Sequence, residues 1–139
     1  MIKYFICDYA SANWGKTSVL QRVISKLGEP IEPIISDGID SFACFNVKGK
    51  TVAVVTPGDP DSKQAEWLRL AVQKGADVIV CAARSKGQTI KNVYDELQEY
   101  YEVWFQNFNA DKDSPFIDDM NNIMAEAIIK LIKKLCNQK

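Results

Sequence analysis

The chain has 139 residues, 47% hydrophobic, 25% charged and 10% aromatic, values of a globular domain of ~100–150 residues and not of a disordered chain. Its 17 Lys and Arg against 18 Asp and Glu leave a net charge of -1, which gives no bulk electrostatic pull toward nucleic acid, and no apolar run approaches the ~20 residues of a membrane span. With no histidine, imidazole acid–base chemistry and imidazole metal ligation are excluded.

Residues 2–7 form a short run of Ile, Tyr and Phe that reads as a buried strand. A polar loop over residues 8–15 follows. Residues 16–27 predict an amphipathic helix, with Val19, Leu20, Val23, Ile24 and Leu27 on one stripe and Gly28 and Pro30 as stops. A second short strand is expected over 31–35, ending at Ser36-Asp37-Gly38. Residues 42–47 and 51–56 predict two antiparallel strands joined by a tight turn at Lys48-Gly49-Lys50. The loop 57–61 leads to a helix over 62–74, with Asp61 placed to cap it. Residues 77–82 read as another buried strand. Thr89 can cap a helix running to about residue 99. Residues 101–108 have strand composition, with Tyr101, Trp104, Phe105 and Phe108 read, like Tyr100, as sheet core and edge cover. Residues 109–115 form a turn, and residues 116–135 a long final helix.

Strands alternating with helices predict one α/β layered domain over residues 1–139, with a mostly parallel sheet and one antiparallel hairpin. The four cysteines, Cys7, Cys44, Cys81 and Cys136, include no Cys-x-x-Cys pair, which argues against a zinc knuckle. Cys7, Cys44 and Cys81 lie in strand-like runs and are expected as buried free thiols. The first apolar run stops at Asp8, unlike a signal peptide. A reduced, cytoplasmic protein is the expectation.

The segment carrying chemistry is Ala10-Ser11-Ala12-Asn13-Trp14-Gly15-Lys16-Thr17, followed by Ser18. It fits the phosphate-binding pattern G-x-x-x-x-G-K-[ST] with Ala in place of the first Gly. Such a loop turns successive backbone N–H groups inward around an anion, at the positive end of a helix. Lys16 can then reach β- and γ-phosphates, the Thr17 hydroxyl can hold Mg²⁺, and Gly15 lets the backbone approach closely. Trp14 either stacks on a base or a partner surface or covers the apolar end of the helix.

On this motif and its strand–loop–helix setting the chain resembles the P-loop-containing nucleoside triphosphate hydrolase superfamily, which carries the Walker A motif. The resemblance implies a three-layer α/β sandwich binding ATP or another NTP with Mg²⁺ above the carboxyl edge of the sheet. It also implies a metal-binding Asp after a second core strand, where this chain has Thr56. Val55-Thr56-Pro57-Gly58 looks like the D-T-P-G of GTPases with the Asp replaced. Asp59 and Asp61 follow, read either as substitutes or as turn and cap residues, with Asp59 better placed. A guanine-reading N-K-x-D is lacking, since the corresponding strand ends in Cys81-Ala82-Ala83-Arg84-Ser85-Lys86, so adenine is expected to be accepted at least as well as guanine. Arg84, Lys86 and Gly87 form a second cationic loop that either meets a phosphate or a second substrate or is a solvated turn. Asp37 and Asp40 are either an acceptor or metal site or turn residues.

The expected function is nucleotide binding, with NTPase or phosphotransferase activity in which Lys16 and Arg84 stabilise the transferring charge and Asp59 joins Thr17 at the metal. The alternative is a nucleotide-responsive or vestigial loop module with little hydrolysis. Expected partners are the nucleotide and an unidentified small molecule or protein, with no nucleic acid and no membrane.

Overall fold

A computed structural model describes residues 2–10, 15–107 and 113–138. The elements in chain order are β1 (Tyr4–Tyr9), α1 (Lys16–Lys26), β2 (Ile35–Asp37), β3 (Asp40–Val47), β4 (Lys50–Val55), α2 (Gln64–Gln73), β5 (Val78–Ala83), α3 (Gln88–Glu96), β6 (Tyr101–Gln106) and α4 (Ile117–Cys136).

The strands form one six-stranded sheet in the order β2-β3-β4-β5-β1-β6. β1 lies parallel between β5 and β6, and β4 lies parallel to β5. The β3–β4 hairpin is antiparallel as expected, and its turn residues Lys48 and Gly49 both have positive φ, 53° and 83°, as a two-residue turn matching strand twist requires.

The alternation of side chains along each strand feeds two cores. Ile6, Val52, Val54, Val78 and Val80 face α1 and α4 on one side, where Leu20, Val23, Ile128 and Ile132 close the layer. Phe5, Cys7, Ala53, Val55, Ile79 and Cys81 face α2 and α3 on the other, with Trp67, Leu68, Val93 and Leu97. The result is a helix–sheet–helix sandwich in which each fully buried aliphatic side chain contributes ~1.5–3 kcal/mol of transfer free energy. All four cysteines are buried and free. Among the described residues no helix is long and apolar enough to cross a membrane.

Several expectations shift. β1 runs on to Tyr9, so Asp8 belongs to the strand and not to the loop; pairing on both edges carries the ladder that far. The second strand is not at 31–35 but at Ile35–Asp37, and it is a second antiparallel partner, joined to β3 by a turn in which Gly38 has φ 62°. Pro30 and Pro33 withhold the N–H groups that an earlier strand would need. Asp61 does not cap α2, whose N-cap is Lys63; the Ser62 hydroxyl instead accepts from the Gln64 N–H at 3.3 Å. Thr89 lies inside the first turn of α3, behind an N-cap at Gly87, and α3 ends at Glu96.

Candidate functional site

Because β1, β4, β5 and β6 are parallel, one edge of the sheet collects the residues that follow them: Ala10, Thr56-Pro57-Gly58, Arg84 and Asn107. The antiparallel β2–β3 turn brings Asp37 and Asp40 to the same edge. After β1 the chain leaves along the α1 face, and after β5 it leaves along the α3 face. The carboxyl ends of β1 and β5 therefore flank a topological switch point, where open α/β sheets bind ligands.

The loop leaving β1 is anchored by the Ala10 N–H, which donates to Ala83 O at 3.2 Å. Gly15 is the N-cap of α1, with φ 80° and ψ 16°, a left-handed conformation that glycine adopts without a Cβ penalty. Neither a side-chain cap nor an acidic residue occupies the first turn of α1. Lys16 is buried, at 6% exposure, and its ammonium donates to Ala10 O at 3.0 Å. Burial lowers its pKa below the ordinary lysine value, while the Asp59 and Asp8 carboxylates act to raise it and the Arg84 guanidinium to lower it. Thr17 is half-buried and Ser18 exposed on the same first turn. Ser11, Ala12, Asn13 and Trp14 lie outside the described residues, as do Phe108 and 109–112.

The Pro57-Gly58 segment is packed directly against this lysine. A Cβ placed on Gly58 would sit 2.9 Å from Ala82 Cβ, 3.2 Å from the Ala82 carbonyl carbon and 3.3 Å from Lys16 Cε. The glycine is thus required by close approach. Although β5 separates β4 from β1, this segment spans the gap and brings Asp59 within electrostatic reach of Lys16.

Asp59 is held by Arg84, whose Nε and Nη2 both lie 3.3 Å from Asp59 Oδ1. Sequence reasoning placed Asp59 at a metal and Arg84 on phosphate, and the structure brings the two together as an ion pair. Asp61 is exposed, as are Lys86 and Gly87. Thr56 is fully buried, and its hydroxyl donates to Asp40 Oδ1 at 3.0 Å and accepts from the Ser41 N–H at 2.9 Å. The residue at the end of β4 is thus engaged in holding the start of β3. Burial pushes the Asp40 carboxyl up, the Thr56 hydroxyl acts against this, and Asp59 and Asp37 add to it. Among the described residues, no group of three or more His, Cys, Asp or Glu is arranged to hold a metal ion.

Two residues of this edge escaped the sequence. Asp8 is fully buried on β1, with Asn107 Nδ2 donating to its Oδ2 at 3.3 Å and Oδ1 without a hydrogen-bond partner among the described residues. Burial pushes its carboxyl up to about 7, against the Asn107 bond and the Lys16 charge. The period-2 pattern could have placed Asp8 on the face of Ile6, but Asn107 is fixed only by strand order. Gln64 is the other: its amide donates to Ala82 O at 2.9 Å and Thr89 O at 3.1 Å and accepts from Asn92 at 3.0 Å. With the Thr89 hydroxyl accepting from the Arg84 N–H at 2.8 Å, it fastens the loop after β5. Neither a family model nor a curated protein matches this chain.

Proposed function

We propose that this chain binds a nucleoside triphosphate, with ATP the leading candidate, through residues 10–18. One observation carries the reading: Lys16 follows a left-handed Gly15 at the open N-terminus of α1, and its buried ammonium is turned onto Ala10 O at 3.0 Å. A phosphate oxygen is a stronger acceptor for that ammonium than a backbone carbonyl, because the bond is then charge-assisted on both sides. The orphan amides of the helix start and the Arg84 guanidinium supply further positive potential at the same edge. The donor set also fits Mg²⁺ in the way this ion is held beside phosphates, with few protein ligands: the Thr17 hydroxyl would hold it, and Asp59 would join on exchanging Arg84. There the ion would neutralise charge on the phosphate oxygens.

Slow or absent hydrolysis is the second reading, and Thr56 favours it. The position that the superfamily gives to a metal-binding Asp is here a hydroxyl bound to Asp40 and Ser41.

The test is thermal stabilisation by ATP, GTP and ADP, with and without Mg²⁺, on the wild type and Lys16→Ala. A nucleotide at 100 times its Kd stabilises by ~2.7 kcal/mol. We expect stabilisation by ATP at least equal to that by GTP, and its loss in Lys16→Ala. No stabilisation by any nucleotide, or the same stabilisation in the variant, overturns the reading.

A further inference from the structure

β6 is the last strand of the sheet and pairs with β1. Its other side has no strand partner among the described residues and offers the backbone N–H and C=O groups that natural edge strands shield with lysine, proline or a bulge. Tyr101–Gln106 contains neither Lys nor Pro, and Tyr101, Glu102 and Gln106 are exposed. Over this strand α4 carries two apolar stripes. Met124, Ile128, Ile132 and Leu135 belong to the core. Phe116, Met120, Ile123, Ala127 and Leu131 recur at helical spacing along the second stripe, on which Phe116 and Ile123 are each 64% exposed. Between this stripe and Phe105 runs an open trough, two adjoining depressions of ≈ 340 and ≈ 280 Å³ that share Phe105 and Ala127 and reach Lys130 and Lys134 at one end. An exposed apolar strip bordering an open strand edge is the mark of an interaction surface.

We propose that this surface is the interface of a homodimer, its occupant a second copy of the chain. One two-fold axis perpendicular to the sheet satisfies strand and helix together. It pairs β6 with β6 antiparallel and keeps α4 of both copies on the same side of the joined sheet. Centred on Val103 or on Trp104, the pairing sets Glu102 across from Trp104 or Gln106, never from its own counterpart. α4 starts beyond the carboxyl end of β6, and Gln138, just past its end, accepts from the hydroxyl of Tyr4 at the start of β1 at 2.8 Å. α4 is therefore antiparallel to the strands beneath it, and the axis makes the two α4 helices antiparallel to each other. Phe105 and Ala127 line both depressions, so an axis through the middle of β6 passes close to Ala127. The first turn of each helix, with Asp118 and Asp119, then meets the last turns of the other, with Lys133 and Lys134. Arg22 engages Asp118 at 3.1 Å, which leaves the exposed Asp119 to face Lys130 and Lys134 of the other copy. The surface is thus complementary in charge to itself in antiparallel order, the order a two-fold axis supplies. The helix dipole also favours acidic first and basic last turns, but it does not account for the bare apolar stripe between them.

The inference does not rest on the nucleotide reading, and its test is the oligomeric state of the full chain without nucleotide, by light scattering and sedimentation across a range of concentrations. The expected result is a dimer that forms as concentration rises, with slower hydrogen exchange at the β6 amides. Ile123→Glu places a charge in the stripe and should weaken association roughly tenfold or more. Asp119→Lys, and separately the double variant Lys130→Glu with Lys134→Glu, should each shift toward monomer, because like charges then meet. An equimolar mixture of these two should associate as the wild type does, since both contacts of the mixed dimer join opposite charges. All four positions are exposed, and circular dichroism checks that each variant folds. A monomer at every concentration overturns the proposal and leaves the trough to a different partner. A dimer that persists undiminished in folded Ile123→Glu, or charge variants whose mixture associates no better than either alone, overturns it as well.

Discussion

Asn107, just past the end of β6, donates to the Asp8 carboxylate on β1 at 3.3 Å, across a sequence separation of 99 residues. This bond meets one carboxylate oxygen; the other, fully buried, has no hydrogen-bond partner among the described residues. Desolvation therefore outweighs the hydrogen bond and the nearby lysine, and the acid form is favoured up to about pH 7.

The sign of the resulting pH dependence follows. Asp8 has a folded pKa raised from 3.8 to about 7, so between these values the native state holds a proton that the unfolded state has released. Its contribution to stability is full below the lower value and is lost as pH rises through the upper one. Asp8→Asn removes this dependence. Compared with the wild type, the variant should gain stability on the order of a few kcal/mol between about pH 4 and pH 8. Urea unfolding of both proteins across that range checks it; parallel curves would show that Asp8 titrates normally.

Gly58→Ala should destabilise the fold and weaken nucleotide binding together. The new methyl would meet the Ala82 backbone as well as Lys16 Cε, and backbone gives way less readily than a side-chain end. Overpacking of this kind costs ~1–3 kcal/mol. Denaturant unfolding and calorimetric ATP titration would show both effects; a change in stability with wild-type affinity would separate Gly58 from the lysine.

Asp59→Asn and Asp61→Asn should differ. The Asp59–Arg84 pair is solvent-exposed, with side-chain exposures of 66% and 40%, and such pairs contribute ~0–1 kcal/mol. Stability should therefore stay within ~1 kcal/mol of wild type in both variants. If the chain hydrolyses ATP, Asp59→Asn should lower turnover more than binding, since charge stabilisation at the metal belongs mainly to the transition state. Asp61→Asn, at an exposed loop position, should change neither. Paired turnover and binding measurements decide; wild-type turnover in Asp59→Asn removes its metal role.

Thr56→Val should cost ~1–3 kcal/mol, because it deletes a buried hydroxyl that serves Asp40 and the Ser41 N–H. ATP affinity should stay near wild type, as the hydroxyl is turned to β3. Equilibrium unfolding and nucleotide titration read the two separately, and a large loss of affinity at unchanged stability would place Thr56 in the ligand site instead.

Much of this protein was set by short stretches of sequence. Val19, Leu20, Val23 and Ile24 specify a helix because their spacing puts them on one stripe, and Lys48-Gly49 specifies a turn because the backbone there needs positive φ. The Gly15-Lys16-Thr17 segment is equally local: its lysine and its left-handed glycine are neighbours in the chain. The partners of these elements were settled at longer range. That β5 stands between β4 and β1, that Gly58 presses on Lys16, that Asp59 meets Arg84 and that Asn107 meets Asp8 all depend on strand order. Strand order is decided by which apolar faces bury each other across long separations, and the hydrophobic term that drives this is non-directional. A buried strand such as β5, apolar on both faces, offers no alternation from which a neighbour could be read. The sequence by itself determined most of the elements, β2 excepted, and the Gly15-Lys16-Thr17 pattern, and the tertiary structure alone decided which charges stand beside that lysine.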